Sequence, residues 1–275
     1  MVEVTWWGHA TATVEDHGVR LLTDPVLTAR LAHLTRRRGP LPGPEALRAD
    51  AVLVSHLHAD HLHLPSLRRL AVGTRVLVPR GAGPLLRRLP VDVIELEPGD
   101  EVVVASGRTG GVGADGLRTS GAVTVRAVPA VHDPRRGPGS GLRATPLGFL
   151  VRGSGRVYVA GDTALWPGMA GLAPDLALLP VGGWGPTLGA GHLGPAEAVD
   201  ALRLLAAGRG GHAPVVVPVH WGTLWPLGLR AVRDHLFTAP GPRFVALARA
   251  AVPAVDVRLL LPGQTTRVRL AADRP

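Results

Sequence analysis

Residues 51–62 read Ala-Val-Leu-Val-Ser-His-Leu-His-Ala-Asp-His-Leu. The apolar run at the start of this stretch, Ala51–Ser55, is typical of a buried β-strand. It leads directly into four candidate metal ligands: His56, His58, Asp60 and His61. A His-x-His-x-Asp-His string arises by chance in only about one in a thousand chains of this composition. Imidazole and carboxylate groups bind borderline metals such as zinc, so the stretch predicts a metal site at the end of a strand.

Six donor groups would serve two metal ions, and this stretch supplies four of them. Three further apolar runs elsewhere in the chain are each followed by one suitable donor. Val123–Val128 leads to His132, Arg156–Ala160 leads to Asp162, and Val215–Val219 leads to His220. A side chain just beyond a strand lies on a loop that a rigid scaffold holds in place, which is the usual position of functional groups. The pattern therefore predicts seven ligands at one edge of a sheet and a hydrolytic site with two metals.

The composition excludes several classes of protein. Hydrophobic residues make up 46% of the 275 residues, enough for a sizeable core, and the chain has no cysteine. Disulfides and thiolate metal ligands are thereby ruled out. No apolar run reaches the roughly 18 residues of a membrane-spanning helix, and the first residues lack the pattern of a signal peptide. We expect a cytoplasmic protein.

The net charge of +9 raises the question of an anionic partner. All 30 basic residues are arginine, and they are scattered along the chain without interleaved aromatic residues. This distribution does not favour nucleic-acid binding. The segment Leu27–Pro44, which contains Arg36, Arg37 and Arg38, leaves open a peripheral contact with an anionic membrane surface. A solvated basic loop is the simpler interpretation.

Short strand-like runs alternate with a few helical stretches, which predicts an α/β fold in one domain over residues 1–275. Besides the four runs above, the predicted strands are Val2–Trp7, Val19–Thr23, Arg75–Val78, Val91–Leu96, Glu101–Ala105, Gly148–Val151 and Leu176–Pro180. The predicted helices are Pro65–Leu70, Gly83–Arg88, Ala196–Ala207 and Leu229–Phe237. Three stretches rich in Gly, Pro or Arg are predicted to be loops: Thr35–Pro44, Ser106–Gly121 and Asp133–Thr145.

The sequence resembles the metallo-β-lactamase superfamily. It is most similar to the branch that contains the N-acyl-phosphatidylethanolamine-hydrolysing phospholipase D and the L-ascorbate-6-phosphate lactonase. The segments that carry the resemblance are Trp7-Gly-His-Ala-Thr, Leu22-Thr-Asp-Pro25, Val54–Leu62, Ala160-Gly-Asp-Thr163, Gly191–Val199 and Val219-His-Trp-Gly-Thr223. The resemblance implies a four-layer αβ/βα sandwich, with two mixed β-sheets flanked by helices.

The resemblance also implies a role for each predicted ligand. His56, His58 and His132 would bind the first metal, and Asp60, His61 and His220 the second. Asp162 would bridge the two ions, opposite a bridging hydroxide that attacks the substrate. The two ions would be divalent, with zinc the leading candidate and manganese or iron as alternatives.

Three polar residues remain open to two interpretations. His9 and Asp24 are either ordinary polar groups at strand ends or hydrogen-bonding supports that orient a ligand imidazole. His192 either makes a local hydrogen bond before the helix that follows it or, as the resemblance implies, lies in the substrate cleft. There it could donate a proton to a leaving group. The candidate catalytic residues are Asp60 and His192, and Asp60 is also a candidate metal ligand.

The expected activity is hydrolysis of a phosphodiester or a phosphorylated small molecule. The same site would also suit a lactonase or a carboxylic ester hydrolase, because fold alone does not fix the substrate. The loops lack apolar runs as long as an acyl chain, which argues against a long-chain lipid. A nuclease and a redox relative that binds iron are further alternatives. Four tryptophans could line a pocket or pack in the core: Trp166, Trp184, Trp221 and Trp225.

Overall fold

A computed structural model describes residues 1–107, 121–185, 188–227, 234–252 and 254–270. Its strands follow one another as β1 (Val2–Gly8), β2 (Thr11–Asp16), β3 (Val19–Thr23), β4 (Arg30–Leu31), β5 (Leu34–Arg36), β6 (Ala51–Leu53), β7 (Arg75–Pro79), β8 (Asp92–Leu96), β9 (Glu101–Ala105), β10 (Ala122–Pro129), β11 (Leu147–Arg152), β12 (Arg156–Val159), β13 (Leu176–Pro180), β14 (Val215–Val219), β15 (Leu224–Pro226) and β16 (Gln264–Val268). The helices are α1 (Leu64–Leu67), α2 (Gly83–Leu86), α3 (Pro195–Ala207), α4 (Asp234–Thr238) and α5 (Pro240–Ala251).

The strands form two large mixed sheets and one small sheet. The first sheet has the order β16-β1-β2-β3-β6-β7-β8, and the second has the order β14-β13-β12-β11-β10-β9. In the first sheet β3, β6, β7 and β8 run parallel. In the second sheet β12, β13 and β14 run parallel. The ends of several strands therefore meet at one edge of each sheet.

The main core lies between the two large sheets, and a second core lies behind the first sheet. In β6, Ala51 and Leu53 belong to the main core, whereas Val52 belongs to the second core with Leu67 of α1 and Leu86 of α2. This alternation follows from the two-residue period of a strand. Helices α3 and α5 cover the second sheet and join the main core. The predicted four-layer sandwich of mixed sheets and flanking helices is confirmed.

Most predicted elements are present with small differences at their ends. The helix predicted at Ala196–Ala207 is α3, which begins one residue earlier at Pro195. Of the helix predicted at Leu229–Phe237, residues 229–233 lie outside the described residues, and α4 covers the rest. Helix α5 was not predicted, because Pro240-Gly-Pro at its start resembles a turn. Proline is nevertheless compatible with the first helical turn, whose N–H groups lack intrahelical acceptors.

The predicted loop Thr35–Pro44 is only partly irregular. Its first residues belong to β5, which pairs with β4 and β15 in the small three-stranded sheet. The solvated interpretation of its arginines is wrong for Arg36, which donates to the backbone carbonyl of Trp7 over 2.9 Å. Arg38 lies over the ring of Trp221, 5.2 Å from the centroid. Two of the three arginines thus support the molecule internally.

The structure describes all of one of the other two predicted loops and only the ends of the second. Asp133–Thr145 contains no helix or strand, apart from one isolated bridge between Arg135 and Arg143. Residues 108–120 of the loop predicted at Ser106–Gly121 lie outside the described residues. Among the described helices, none has the length and apolar character needed to cross a membrane. A cytoplasmic location stays a prediction.

Candidate metal centre

The seven predicted ligands come together where β6 of the first sheet and β10, β12 and β14 of the second sheet end. The expectation that all seven lie at the edge of one sheet is therefore wrong. His56, His58, Asp60 and His61 follow β6, His132 follows β10, Asp162 follows β12 and His220 follows β14. Five of the seven are buried, and only His58 and His132 are partly exposed. Both large sheets thus contribute His and Asp side chains to one cluster.

One group of nitrogens is formed by His56, His58 and His132. Nδ1 of His58 lies 3.1 Å from Nε2 of His56 and 3.0 Å from Nε2 of His132. Zinc–nitrogen bonds of about 2.0–2.1 Å in a tetrahedron would place two ligand nitrogens about 3.3 Å apart. The observed spacing is close to that value, so the three imidazoles fit a metal ion.

A second group is formed by Asp60, His61 and His220. Nε2 of His61 lies 3.2 Å from Nε2 of His220, and each of these nitrogens lies 3.8 Å from Oδ2 of Asp60. In neutral imidazoles, the two nitrogens would face each other with their lone pairs. A cation shared between them relieves that repulsion, so this group also fits a metal ion.

Asp162 lies beside both groups, because one of its oxygens lies within 4.8 Å of a ring nitrogen of His56 in the first group and of His61 in the second. Its Oδ2 lies 3.1 Å from Nε2 of His61 and 3.3 Å from Nε2 of His220. Its other oxygen, Oδ1, is buried and has no hydrogen-bond partner among the described residues. A buried carboxylate oxygen without a partner is costly unless a cation or water satisfies it. Asp162 therefore has the free acceptor that a metal ligand needs.

Hydrogen bonds on the far side of the rings fix which nitrogen faces the centre. Nδ1 of His132 donates to the carbonyl of Gly191 over 2.8 Å, and Nδ1 of His220 donates to that of Gly182 over 2.9 Å. A carbonyl only accepts, so the proton lies on Nδ1 and leaves Nε2 free for a metal. Gly191 has a φ of +91°, and a Cβ there would come within 2.8 Å of Nδ1 of His132, so this hydrogen bond depends on glycine.

Asp24 and Ser55 make the equivalent hydrogen bonds to His56 and His61, which follow β6. Oδ2 of Asp24 accepts hydrogen bonds from Nδ1 of His61 over 2.9 Å and from Oγ of Ser55 over 2.8 Å. Oγ of Ser55 in turn accepts from Nδ1 of His56 over 2.9 Å. One buried carboxylate thus orients imidazoles of both groups, directly or through Ser55. The supporting role of Asp24 stays a prediction, and these hydrogen bonds are the contacts through which it would act.

Replacing Asp24 by Asn is expected to lower metal affinity by about 10- to 100-fold, because it weakens the hydrogen bond that orients His61. Asp16→Asn is a matched control. Asp16 is also buried, and it accepts from both the N–H and the hydroxyl of Ser154, as Asp24 does from Ser55. Competition with a chromogenic chelator measures the affinity. An equal loss in both variants would contradict a specific role for Asp24.

The hydrogen bond that His9 makes to the candidate ligands goes to a carboxylate and not to an imidazole. Nε2 of His9 donates to Oδ2 of Asp60 over 2.9 Å. Burial, together with the neighbouring His220, lowers the pKa of His9 to about 4, so it donates as a neutral group. His9, Asp24 and His220 all have positive φ values, of 53°, 35° and 62°. Such left-handed backbone is uncommon for residues other than glycine and concentrates at functional sites.

The pKa values of four of these groups favour the forms that bind metals, whereas that of His61 does not. Burial opposes protonation of His61, but Asp162, Asp24 and Asp60 raise its pKa well above the ordinary value, so a metal ion has to displace a proton there. Burial lowers the pKa of His56 and His58, and it lowers that of His132 to about 4, so all three are neutral. Burial opposes ionisation of Asp162, but the neighbouring His220 and His61 hold the pKa of this carboxyl well below its usual range. Neutral imidazoles and ionised carboxylates are the forms that coordinate metals.

His192 lies at the border between the metal ligands and a cavity. Its Nε2 lies 3.5 Å from Oδ2 of Asp162, and its Nδ1 donates to the carbonyl of Gly189 over 3.1 Å. The cavity has a volume of about 290 Å³ and is lined by Trp184, Leu188, His192, His220 and glycines. The structure therefore places His192 beside a space that a small substrate could enter. The local hydrogen bond of the other interpretation is present as well, so the structure is compatible with both predicted roles of His192.

The tryptophans divide between the two predicted roles. Trp184 lines the cavity, with its ring 5.1 Å from that of His33. Trp221 is only 2% exposed and stacks on Trp6 with 5.5 Å between the ring centroids. Trp184 therefore belongs to the candidate site, whereas Trp221 packs in the core behind His220.

Arg136 is a supporting residue that sequence reasoning missed. Its Nη1 donates to the carbonyl of Leu62 over 2.9 Å and also to that of Leu57. These carbonyls belong to the turn that carries His58, Asp60 and His61. In the sequence, Arg136 is one of several arginines in a Gly-rich loop, and no local pattern distinguishes it from its neighbour Arg135.

Replacing Arg136 by Met is expected to lower the free energy of unfolding by about 1–3 kcal/mol, because two carbonyls of the ligand turn lose their donor. Chemical denaturation measures this change. Arg135→Met is the control, since Arg135 pairs with Asp133 at the surface and its loss should cost under about 0.5 kcal/mol. Equal effects of the two substitutions would contradict a special role for Arg136.

Comparison with known proteins agrees with this geometry. The family model of the beta-lactamase superfamily domain matches residues 19–221. The chain belongs to this superfamily. A UPF0173 metal-dependent hydrolase of Methanopyrus kandleri is 30% identical to it, over 82% of this chain and 86% of the relative. The predicted superfamily is confirmed, and so, at this general level, is the prediction of a metal-dependent hydrolase.

Two further comparisons bear on the branch and the fold. N-acyl-phosphatidylethanolamine-hydrolyzing phospholipase D 1 of Caenorhabditis elegans is 29% identical, over 82% of this chain and 64% of that protein. The solved structure of a metallo hydrolase from Ignicoccus hospitalis superposes with a TM-score of 0.65 at 24% identity, covering 96% of this chain and 97% of the other. The first supports the predicted branch of the superfamily, and the second supports the fold.

Proposed function

We propose that this superfamily member is a dinuclear metal-dependent hydrolase. The observation that carries the proposal is Asp162, whose Oδ2 contacts His61 and His220 while its buried Oδ1 lacks a partner among the described residues. A carboxylate placed in this way suits a bridge between two ions. One ion would be held by His56, His58 and His132, the other by Asp60, His61 and His220, and Asp162 would bind both.

The donor set favours zinc as the resident metal. Five imidazoles and two carboxylates suit zinc, and they also accept manganese or iron. When bound, divalent metals at such a site supply Lewis acidity and allow water to act as a nucleophile near neutral pH. His9, Asp24 and Ser55 keep the ligand side chains in orientation through the hydrogen bonds described above.

His192 is proposed to hold a proton for the leaving group. Its Nδ1 is fixed by the Gly189 carbonyl, so its Nε2 faces Asp162 and the cavity. Burial opposes protonation, but the hydrogen bond to Asp162 raises the pKa of His192 above its ordinary value. A proton on Nε2 can then pass to an oxygen that departs into the cavity.

The proposed substrate is a phosphodiester or another phosphorylated small molecule. The phospholipase D name of the C. elegans relative supports phosphodiester chemistry. The cavity of about 290 Å³ beside His192 supports a compact leaving group in place of a long acyl chain. A carboxylic ester or lactone is the second candidate. It is favoured by the lining of this cavity, whose described residues include no arginine, aspartate or glutamate.

The test is turnover of two chromogenic substrates by zinc-loaded protein. Bis(4-nitrophenyl) phosphate represents phosphodiesters, and 4-nitrophenyl acetate represents carboxylic esters. We expect nitrophenolate release from the diester, loss of release with chelator and recovery with zinc. Metal-dependent turnover of the acetate alone would move the assignment to the second candidate. Two bound metals without turnover of either substrate would overturn the proposed substrate classes.

A further inference from the structure

A second, larger cavity lies away from the metal ligands. Its volume is about 550 Å³, and it is located where β12, β13 and β14 begin, beside Arg156, Asp175 and Val215. The three strands are parallel, and Asp162 and His220 follow the opposite ends of β12 and β14. A five-residue strand spans roughly 16 Å, so the cavity and the candidate metal centre lie at opposite edges of the second sheet.

The polar lining of this cavity is strongly basic. Three arginines, Arg156, Arg209 and Arg269, border it together with His212, and Asp175 is the single acidic residue among the described lining residues. Three guanidinium groups and one carboxylate leave two net positive charges even when His212 is neutral. An anion with two negative charges would match this balance.

Arg209 is held in position by its own contacts. Its Nη1 donates to the carbonyl of Pro174 over 2.8 Å and also to Oδ1 of Asp175, and its Nε donates to the carbonyl of His212 over 3.2 Å. The other oxygen of Asp175 accepts from the backbone N–H of Arg156 over 2.8 Å. The acidic group is thereby neutralised within the protein, and Arg209 is preorganised at the wall of the cavity.

The other two arginines keep their guanidinium groups available. Among the residues that the structure describes, neither the Arg156 nor the Arg269 side chain makes a hydrogen bond or an ion pair. Both residues are exposed, and each borders the cavity. Guanidinium groups with free N–H donors bind phosphate oxygens in a bidentate manner. Ala213, Val215 and the buried Leu270 add an apolar surface to the same cavity.

We propose that this cavity binds the phosphate group of a small phosphorylated molecule, with Arg156 and Arg269 on the phosphate, Arg209 fixed beside them, and Val215 and Leu270 against an apolar part of the ligand. The site is separate from the candidate metal centre. It would therefore hold a ligand while the metal centre stays open to a substrate.

The experiment is calorimetric titration of the zinc-loaded protein with three probes. Inorganic phosphate tests for the anion, adenosine monophosphate tests for a phosphate joined to a ring system, and adenosine is the phosphate-free control. Because phosphate can also bind at a metal centre, the titrations are repeated with Asp162→Asn. The double variant Arg156→Gln/Arg269→Gln tests the cavity. Arg87→Gln/Arg88→Gln removes the same charge from exposed positions elsewhere.

We expect phosphate binding that persists in Asp162→Asn and weakens by at least about tenfold in Arg156→Gln/Arg269→Gln, with less than about twofold change in the control pair. Hydrolytic activity should stay unchanged in the cavity variant. Tighter binding of adenosine monophosphate than of phosphate, with no binding of adenosine, would support the proposal, whereas tighter binding of free phosphate would overturn the contact of an apolar ligand part with Val215 and Leu270. Equal weakening in both arginine pairs, binding that disappears in Asp162→Asn, or no binding up to about 10 mM phosphate would each overturn the proposal.

Discussion

Asp162→Asn is expected to lower hydrolysis of the chromogenic substrate by at least about 10³-fold and to reduce the bound metal from two ions per chain to one or none. Asparagine keeps the shape of the side chain but removes the charge that holds two cations together. It also presents an amide where the carboxylate Oδ1 now lies buried without a partner among the described residues. Turnover and elemental analysis of the same preparation measure both effects.

Asp200→Asn is the control for this substitution. Asp200 lies exposed on α3 and pairs with Arg203 one turn further along. Its change should alter neither turnover nor metal content, because surface pairs of this kind contribute little. Full turnover by Asp162→Asn, with two metals still bound, would contradict the bridging role. Unfolding of the variant would be recognised by circular dichroism, and Asp162→Glu then tests the same position with the charge retained.

His192→Gln is expected to lower kcat by about 100-fold while both metals stay bound. The glutamine can still donate to a nearby carbonyl, but it holds no transferable proton for the leaving group. His132→Gln serves as the contrasting variant, since it removes a predicted ligand and should release metal. Comparing kcat with metal content therefore separates the two histidines, whose ring centroids are only 4.7 Å apart.

A substrate series sharpens the test of His192. A proton donor matters most when the leaving group is a poor one, so the loss should be larger for an alkyl phosphodiester than for the nitrophenyl compound. An equal loss for both leaving groups would contradict proton donation. Loss of metal from His192→Gln would instead show that His192 is a metal ligand. Unchanged kcat would mean that the role of His192 is limited to its local hydrogen bond with Gly189.

The clustering of the candidate ligands could be predicted from the sequence because each group of them follows an apolar strand. His132, Asp162 and His220 are far apart in the chain, yet each lies within a few residues of the end of β10, β12 or β14. Strands that run in the same direction in one sheet bring their ends to the same edge, so local sequence was sufficient to group them. Their roles as ligands remain a prediction from this placement.

The supporting contacts could not be predicted in this way, because they join segments with no common local pattern. Arg136 reaches the carbonyl of Leu62 across 74 positions of the chain. The hydroxyl of Thr223 accepts from the N–H of His9 across 214 positions. Helix α5 was missed for a related reason: Gly241 resembles a turn residue, but its role is to let the helix approach Trp221, whose ring lies 2.4 Å from where a Cβ would be. Tertiary packing, and not local propensity, decides such positions.

The most direct test of the dinuclear centre is native mass spectrometry of the folded protein titrated with zinc. We expect two zinc ions to bind per chain, and we expect Asp162→Asn and His132→Gln each to fail to reach this stoichiometry. The unfolding temperature should also rise as the ions bind, because they bind the folded chain in preference to the unfolded one. A wild-type protein that binds no zinc, or that stays at one ion per chain in excess zinc, manganese and iron, would contradict the two-metal site.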